Sequence, residues 1–421
     1  MLVRSCLPVT FPTFTRFPED TGKRTFRLIV KSIGLNYHKY SVQTEDGYIL
    51  NLNRIMNPDL PHNTSKGVPV LMVNGLFMHS DSWILHSKPE HNPAVAFLMN
   101  GYDVWLGDQR GTMRSKKHVI ATCSKNHRCF WDFSFHEIGK YDLPAFINFI
   151  LTRTNSEKLI YVGNSLGTTV SYVLLSERPE FNNKMYLVLS TMPVGVQPLI
   201  STRPQTLQLF YKFLKTVMSY YESIGAGTIR KISTMRRYVK SSCLISPTMF
   251  LWQSGMTSGA GMHPDLEDNR FCYQSSLQFG GASAKTILHA LQLFETGEFA
   301  QYNYGEEENM KRYNQSTPPK YKLDQIKATV AAYYSNTDMY APSETVTKML
   351  DRFGGQTYRC EMRDTHHVDA LFGTQFHKFI PDMIEVFNSA SGKTNSSKIG
   401  SGHCPPYEVT WAPYQDDCTK K

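Results

Sequence analysis

Gly163-Asn164-Ser165-Leu166-Gly167 places a serine two residues from a glycine on either side. An apolar run, Leu159-Ile160-Tyr161-Val162, leads into it, and a helix-compatible stretch, 168–175, follows. Strand, tight turn and helix is the setting in which a serine hydroxyl becomes a nucleophile. Small residues let strand and helix approach, and Ser165 Oγ is lifted to a helix N-terminus whose dipole favours developing negative charge. A glycine-rich helix entry around a buried serine would spell the same five letters, so the pentapeptide alone carries little. A hydroxyl also needs a base to take its proton. Further along, residues 328–338 run from an apolar strand into a loop at Asp338, and Asp364-Thr365-His366-His367-Val368-Asp369 follows the next strand. The order serine, acid, histidine is that of nucleophile-elbow hydrolases. Asp338 also reads as a helix cap, Asp364 and Asp369 compete with it as the acid, and spacing alone does not choose between His366 and His367.

Holding these groups together requires a sheet. Residues 39–55 read as a hairpin around Glu45-Asp46-Gly47. Short apolar strands are predicted at 69–73, 102–106, 159–162 and 186–189, with helical spacing over 137–151. The rhythm breaks after residue 190, where helical stretches at 205–221 and 283–296 sit among loops, and it returns at 328–334, 357–362 and a helix near 374–388. This alternation predicts an α/β fold with a mostly parallel sheet. Its parts are an N-terminal extension (1–34), a first core segment (35–190), an inserted helical cap (191–310), a second core segment (311–390) and a flexible tail (391–421). The insertion flanks the strand ends where open α/β sheets bind ligands. Its aromatic and Met-rich stretch, 205–256, suits cap core first and an apolar substrate wall second. Lys212, Lys215, Arg236 and Arg237 suit an anionic surface, and Gly225, Gly227, Gly255, Gly259 and Gly261 are candidate flexible points of a section that opens at lipid.

Of the 421 residues 41% are hydrophobic and 12% aromatic, enough for a sizeable core and against a wholly disordered chain. No run reaches the ~18 apolar residues of a transmembrane helix. The net charge is +9, but the basic residues are scattered and no zinc-finger spacing accompanies them, so nucleic acid is not an expected partner. Eight cysteines include no CxxC pair, so neither a zinc nor a redox site is expected. Cys123 with Cys129, and Cys404 with Cys418, are the pairings that closeness in sequence suggests. The first thirty residues lack the apolar stretch of a signal peptide. Sequons at Asn63, Asn314 and Asn395 nonetheless keep a secretory or lysosomal route open.

Longer stretches carry a resemblance. Val42-Gln43-Thr44-Glu45-Asp46-Gly47-Tyr48-Ile49-Leu50, Val70-Leu71-Met72-Val73-Asn74-Gly75-Leu76, Gly101-Tyr102-Asp103-Val104-Trp105-Leu106-Gly107-Asp108-Gln109-Arg110-Gly111 and the run from Phe130-Trp131-Asp132 to Leu143-Pro144-Ala145 resemble motifs of the animal acid lipase family. That family holds gastric and lysosomal acid lipases, and the matching stretches span roughly 35–388. The resemblance implies an α/β-hydrolase fold with an inserted helical cap and no metal or organic cofactor. It implies a lipid ester substrate, triacylglycerol or cholesteryl ester, met at a lipid–water interface, and a lysosomal or secreted protein. A carboxylesterase or retinyl-ester hydrolase on the same scaffold is the alternative. The family's His-Leu-Asp-Phe motif falls on His367-Val368-Asp369-Ala370, which makes His367 the base and Asp369 structural. Asp338 matches the acid in an Asn-x-Asp loop, and the N–H groups of Leu166 and Leu76 are the implied oxyanion donors. The chain departs from the family at Asn74 and Asn164, where it usually has His, and at Leu166, where it usually has Gln. These departures motivate a further alternative, a catalytically silent lipid-binding protein, which the retained Ser165, Asp338 and His367 oppose.

Overall fold

The computed structural model describes residues 23–58, 67–86, 89–125, 127–224, 280–363, 365–373, 376–393 and 398–404. The Asp46-Gly47 turn folds β1 (Asn36–Gln43) against β2 (Tyr48–Met56) as an antiparallel hairpin, with Val42 opposite Leu50. β2 pairs antiparallel with β4 (Asp103–Asp108) and with the two-residue β5 (Lys117–His118). The rest of the sheet is parallel: β4, β3 (Pro69–Val73), β6 (Leu159–Asn164), β7 (Met185–Thr191), β8 (Val330–Tyr334) and β9 (Thr357–Glu361), side by side in that order. Sequence neighbours β3 and β4 are also spatial neighbours, but β6 pairs with β3, so the order reverses beside β3. Such reversals open a crevice at the C-terminal strand ends.

Strand periodicity divides the core. Val70 and Met72 join one apolar layer, with Phe97, Val386 and Phe387, while Leu71 and Val73 join the other, with Phe146, Ile150 and Val173. Both faces of the central strands are covered, which is why they read as unbroken apolar runs. The predicted helix over 137–151 is interrupted. Ser134 and Glu137 form a capping box, residues 138–142 make a wide π-type turn, and the α-helix runs Leu143–Thr154 with Pro144 in its first turn. A proline removes one N–H from the ladder and crowds the turn before it, and the wide π-type turn directly before Pro144 is where the helix adjusts. The final helix is Ile380–Ala390, with Pro381 in its first turn and a 3₁₀ turn over Phe376–Phe379 before it.

Between β7 and β8, helix Gln205–Ser223 packs on helix Ala284–Thr296 through Tyr211, Met218, Ile287, Leu288 and Leu291. The second helix is tied to the sheet layer. Ser283 Oγ donates to Phe133 O, and buried His289 lies between Ser134 Oγ (3.0 Å) and Ala300 O (2.9 Å). Burial pushes the His289 pKa down to about 3, so the ring is neutral at physiological pH. Residues 225–279 lie outside the described residues. With them go the candidate flexible glycines, Arg236, Arg237, Cys243 and Cys272.

The extension before residue 35 includes a helix, Lys23–Ser32, whose Phe26 and Val30 are buried in the core. The tail also contributes structure: residues 398–404 pack along β9. Arg359 N–H donates to Gly402 O (2.8 Å), and Cys404 N–H donates to Arg359 O (3.1 Å). This pairing brings Cys404 to a Cα–Cα distance of 4.9 Å from Cys360, and those two form the disulfide; the suggested Cys404–Cys418 pairing is wrong. The chain comes alongside β9, so Cys404 meets a cysteine 44 residues away in sequence. Cys123–Cys129 is bonded as expected.

Candidate active site

Ser165 sits between β6 and helix Leu166–Glu177 with φ 51° and ψ −116°. Its N–H is held by Thr191 O on the adjacent β7 (3.0 Å). The two glycines of the pentapeptide are required by contact. A Cβ on Gly163 would lie 2.7 Å from the Gly167 carbonyl carbon, and one on Gly167 would collide with Val73 O. Side chains there would push apart the strand and helix that hold the serine up.

Asp338 comes from the loop after β8 and His367 from the loop after β9. The structure brings both to Ser165. His367 Nε2 is 2.8 Å from Ser165 Oγ, and His367 Nδ1 is 2.7 Å from Asp338 Oδ2. Asp338 Oδ1 accepts the N–H groups of Tyr340 (2.8 Å) and Ala341 (3.2 Å). Burial by itself raises a carboxyl's pKa; here the His367 ring and those two N–H donors reverse it, and Asp338 lies below the ordinary value. The Tyr340 ring stands edge-on to His367 at 4.9 Å. Of the competing groups, Asp369 accepts the His366 N–H (2.8 Å) and shapes the turn before the helix, and Asp364 lies outside the described residues. With Nδ1 hydrogen-bonded to a carboxylate, Nε2 can take a proton from Ser165, so the arrangement is able to generate a nucleophile.

Leu166 occupies the first helical position, where an N–H has no intrahelical acceptor. Leu76 lies in the loop after β3. That loop abuts the serine, since a Cβ on Gly75 would be 3.2 Å from Ser165 Cβ. Just beyond, buried charges fasten it: Ser80 N–H donates to Asp108 Oδ1 (2.7 Å), and Arg114 pairs with Asp81 (2.7 Å). Asn164, beside the serine, donates to Thr191 Oγ1 (3.0 Å). Asn74 is buried, and its amide has no partner among the described residues. Sequence reasoning missed Arg203, which donates to Met339 O in the acid loop, and Phe77, whose φ is 63°. Neither leaves a local signal, because each matters through a contact distant in sequence. Among the described residues no group of three or more His, Cys, Asp or Glu is arranged to hold a metal, and no helix is long and apolar enough to cross a membrane.

Sheet order, the sharp strand-to-helix turn at Ser165 and the hydrogen-bonded Ser-His-Asp set define the α/β-hydrolase fold. Comparison with protein families agrees: residues 68–374 match "alpha/beta hydrolase fold", and residues 26–87 match "Partial alpha/beta-hydrolase lipase region". The chain belongs to this fold family and, within it, is related to the animal lipases of the gastric and lysosomal acid lipase type. It is 32% identical to human "Lipase member N" over 348 residues, covering 81% of this chain and 84% of that one. It is 30% identical to "Gastric triacylglycerol lipase" of Rattus norvegicus over 352 residues (80% and 85%). It is 29% identical to "Putative lysosomal acid lipase/cholesteryl ester hydrolase" of Crotalus adamanteus over 363 residues (84% and 88%).

Proposed function

We propose that the protein is a serine-dependent carboxylic ester hydrolase acting on lipid esters, triacylglycerol or cholesteryl ester, through an acyl-enzyme. The observation that carries this is the unbroken path from Ser165 Oγ through His367 to Asp338. His367 Nε2 takes the hydroxyl proton as Oγ bonds to the ester carbonyl carbon. The carbonyl oxygen becomes an oxyanion facing the N–H groups of Leu166 and Leu76. Collapse breaks the bond to the alcohol, which leaves with the proton from His367. Water, deprotonated by the same ring, then releases the fatty acid and restores Ser165. Asp338, ionised and aligned, stabilises the imidazolium at each stage. A fluorophosphonate probe will label the protein at Ser165, and a Ser165→Ala protein will not be labelled. Labelling that persists in the alanine variant would place the nucleophile elsewhere.

Substrate class draws on the relatives' names and on the cap. Helix Gln205–Ser223 leaves Leu209, Phe213 and Tyr220 exposed (60%, 66% and 63%), four and seven residues apart on one face. Lys212 and Lys215 lie on the same helix. An exposed apolar stripe beside lysines suits adsorption to a lipid surface. Faster turnover of emulsified triolein than of soluble short-chain nitrophenyl esters favours a lipase over a carboxylesterase.

The proposed location is the lysosome or the outside of the cell. Its support is two disulfides, which persist in oxidising compartments, and the sequon at Asn314. This residue is exposed, in a left-handed turn at the end of helix Glu306–Tyr313. Asn63 and Asn395 lie outside the described residues. Protein made in a secreting animal cell will carry an endoglycosidase-sensitive glycan that Asn314→Gln removes. An unmodified Asn314 in that material would count against the route.

A further inference from the structure

The loop between β3 and the buried Asp81 contains a turn built against its sequence. Met78 N–H closes on Gly75 O (3.2 Å), and the third residue of that turn, Phe77, has φ 63°. Type II turns place glycine or asparagine at this position because a Cβ is crowded in the left-handed region. A bulky residue stays there only where its surroundings over-determine it. Two contacts do so, and both come from the cap. The Phe77 side chain packs with Leu76 against the cluster of Tyr211, Met218, Ile287 and Leu288. Gly280, where the chain re-enters the described residues before helix Ala284–Thr296, donates its N–H to Phe77 O. It sits so close that a Cβ on it would lie 2.8 Å from Met78 O. The same four-residue turn touches the chemistry at its other end. Gly75 lies against Ser165 Cβ, and Leu76, between Gly75 and Phe77, carries the proposed oxyanion donor.

We propose that Phe77 is a positioning residue through which the cap sets the oxyanion hole: its ring, seated among cap side chains, holds the Gly75–Met78 turn in the form that aims Leu76 N–H at the acyl oxygen. The inference rests on the serine-hydrolase reading above and specifies which half of the oxyanion hole depends on the cap. The other donor, Leu166 N–H, is fixed by its own helix and the sheet and does not.

The test uses the full chain with Phe77→Gly, which tolerates the backbone angle but loses the ring, Phe77→Ala, which loses both, and Phe77→Leu, which keeps apolar bulk. Two readouts are compared: kcat and KM on nitrophenyl butyrate, and the inhibition constant of a short trifluoromethyl ketone. Ser165 Oγ bonds to the ketone carbon as its own hydroxyl proton passes to His367, which leaves an oxyanion in the hole with almost no acyl chain to bind elsewhere. Removing a whole oxyanion donor costs about 10²- to 10³-fold; loosening one predicts about a 10- to 100-fold fall in kcat for the Gly and Ala variants. The trifluoromethyl ketone weakens by the same factor, KM stays within about twofold, and Phe77→Leu recovers most of both losses. A folded Gly variant with wild-type kcat and ketone affinity overturns the proposal. So does a loss confined to KM for long-chain esters, which would make Phe77 a wall of the acyl site. If circular dichroism shows the Gly and Ala variants unfolded, Phe77→Asn, which tolerates the backbone angle and keeps side-chain volume but loses the ring, carries the test. Parallel losses in kcat and ketone affinity sustain the proposal, and a loss of stability with both unchanged overturns it. Failure of the wild-type serine to react with the fluorophosphonate defeats the hydrolase reading itself and is seen separately.

Discussion

Asp338→Asn will lower kcat by about 10⁴-fold at neutral pH with KM and fold nearly unchanged, the loss that misplacing the histidine proton produces in serine hydrolases. Asp338 holds its position through the N–H groups of Tyr340 and Ala341 on Oδ1, and an asparagine carbonyl oxygen can accept both. The amide NH₂ then faces His367 Nδ1, 2.7 Å from the atom it replaces. Nδ1 must become the acceptor, so Nε2 carries the hydrogen and can no longer take one from Ser165. The oxyanion donors remain, so the variant retains residual activity over the uncatalysed reaction. Steady-state kinetics at several pH values decide the matter; a loss under about tenfold would show that Asp338 is not the group orienting His367. The pH dependence has a definite sign. The folded pKa of Asp338 is below its ordinary value, so its charged interactions stabilise the fold above about pH 4. That contribution is lost as pH falls through the folded value. The stability gap between wild type and Asp338→Asn therefore narrows in strong acid.

Arg110→Met will destabilise the protein by about 3–5 kcal/mol. Arg110 is 1% exposed in its side chain and bonds two carboxylates: Nε to Asp142 Oδ1 (2.6 Å), and both terminal nitrogens to Asp46 (2.6 and 2.8 Å). Its guanidinium also lies 4.0 Å over the Tyr48 ring. One side chain thus joins the hairpin turn, the loop after β4 and the π-type turn after Ser134. Methionine fills the volume but leaves Asp142, fully buried, as an uncompensated charge. Arg110→Lys will recover little, because a single ammonium cannot reproduce the fork. Arg110→Met combined with Asp142→Leu will recover a large part, since both charges are then gone. Urea unfolding with an unchanged slope measures each difference. A single-variant loss below about 1 kcal/mol would mean that the cluster contributes no more than a surface ion pair.

Much of the scaffold is legible in the chain because it follows short-range rules. Val70 to Val73 is apolar at every position, and such a run bounded by turn residues has few outcomes other than a strand covered on both faces. Asp46-Gly47 between alternating strands specifies a hairpin whatever else the fold does. Helix ends are less legible: the readings over 137–151 and near 374–388 run through Pro144 and Pro381, and the π-type turn at 138–142 and the 3₁₀ turn at Phe376–Phe379 depend on what those segments pack against.

For the candidate site, residue types and their order along the chain offer Ser165 as the nucleophile, leave Asp338, Asp364 and Asp369 as candidate acids and narrow the base to two adjacent histidines; Asp338 and His367 follow only from the family resemblance. A one-residue choice between His366 and His367 is beyond local rules, because the two differ only in which way the loop after β9 turns. Asp369 decides that by binding the His366 backbone, which leaves His367 facing Ser165 and Asp338. The partner of Cys404 likewise depends on where residues 398–404 come to rest along β9. Phe77 is the clearest case. Nothing in Asn74-Gly75-Leu76-Phe77 announces a left-handed phenylalanine, and in isolation the turn would relax. It is held by side chains more than a hundred residues away. Sequence determines what can be decided by a few neighbouring dihedrals and the alternation of apolar residues. Tertiary structure alone decides which distant groups meet, because that choice belongs to the packing of the whole core, where one favourable burial can hold a locally unfavourable backbone in place.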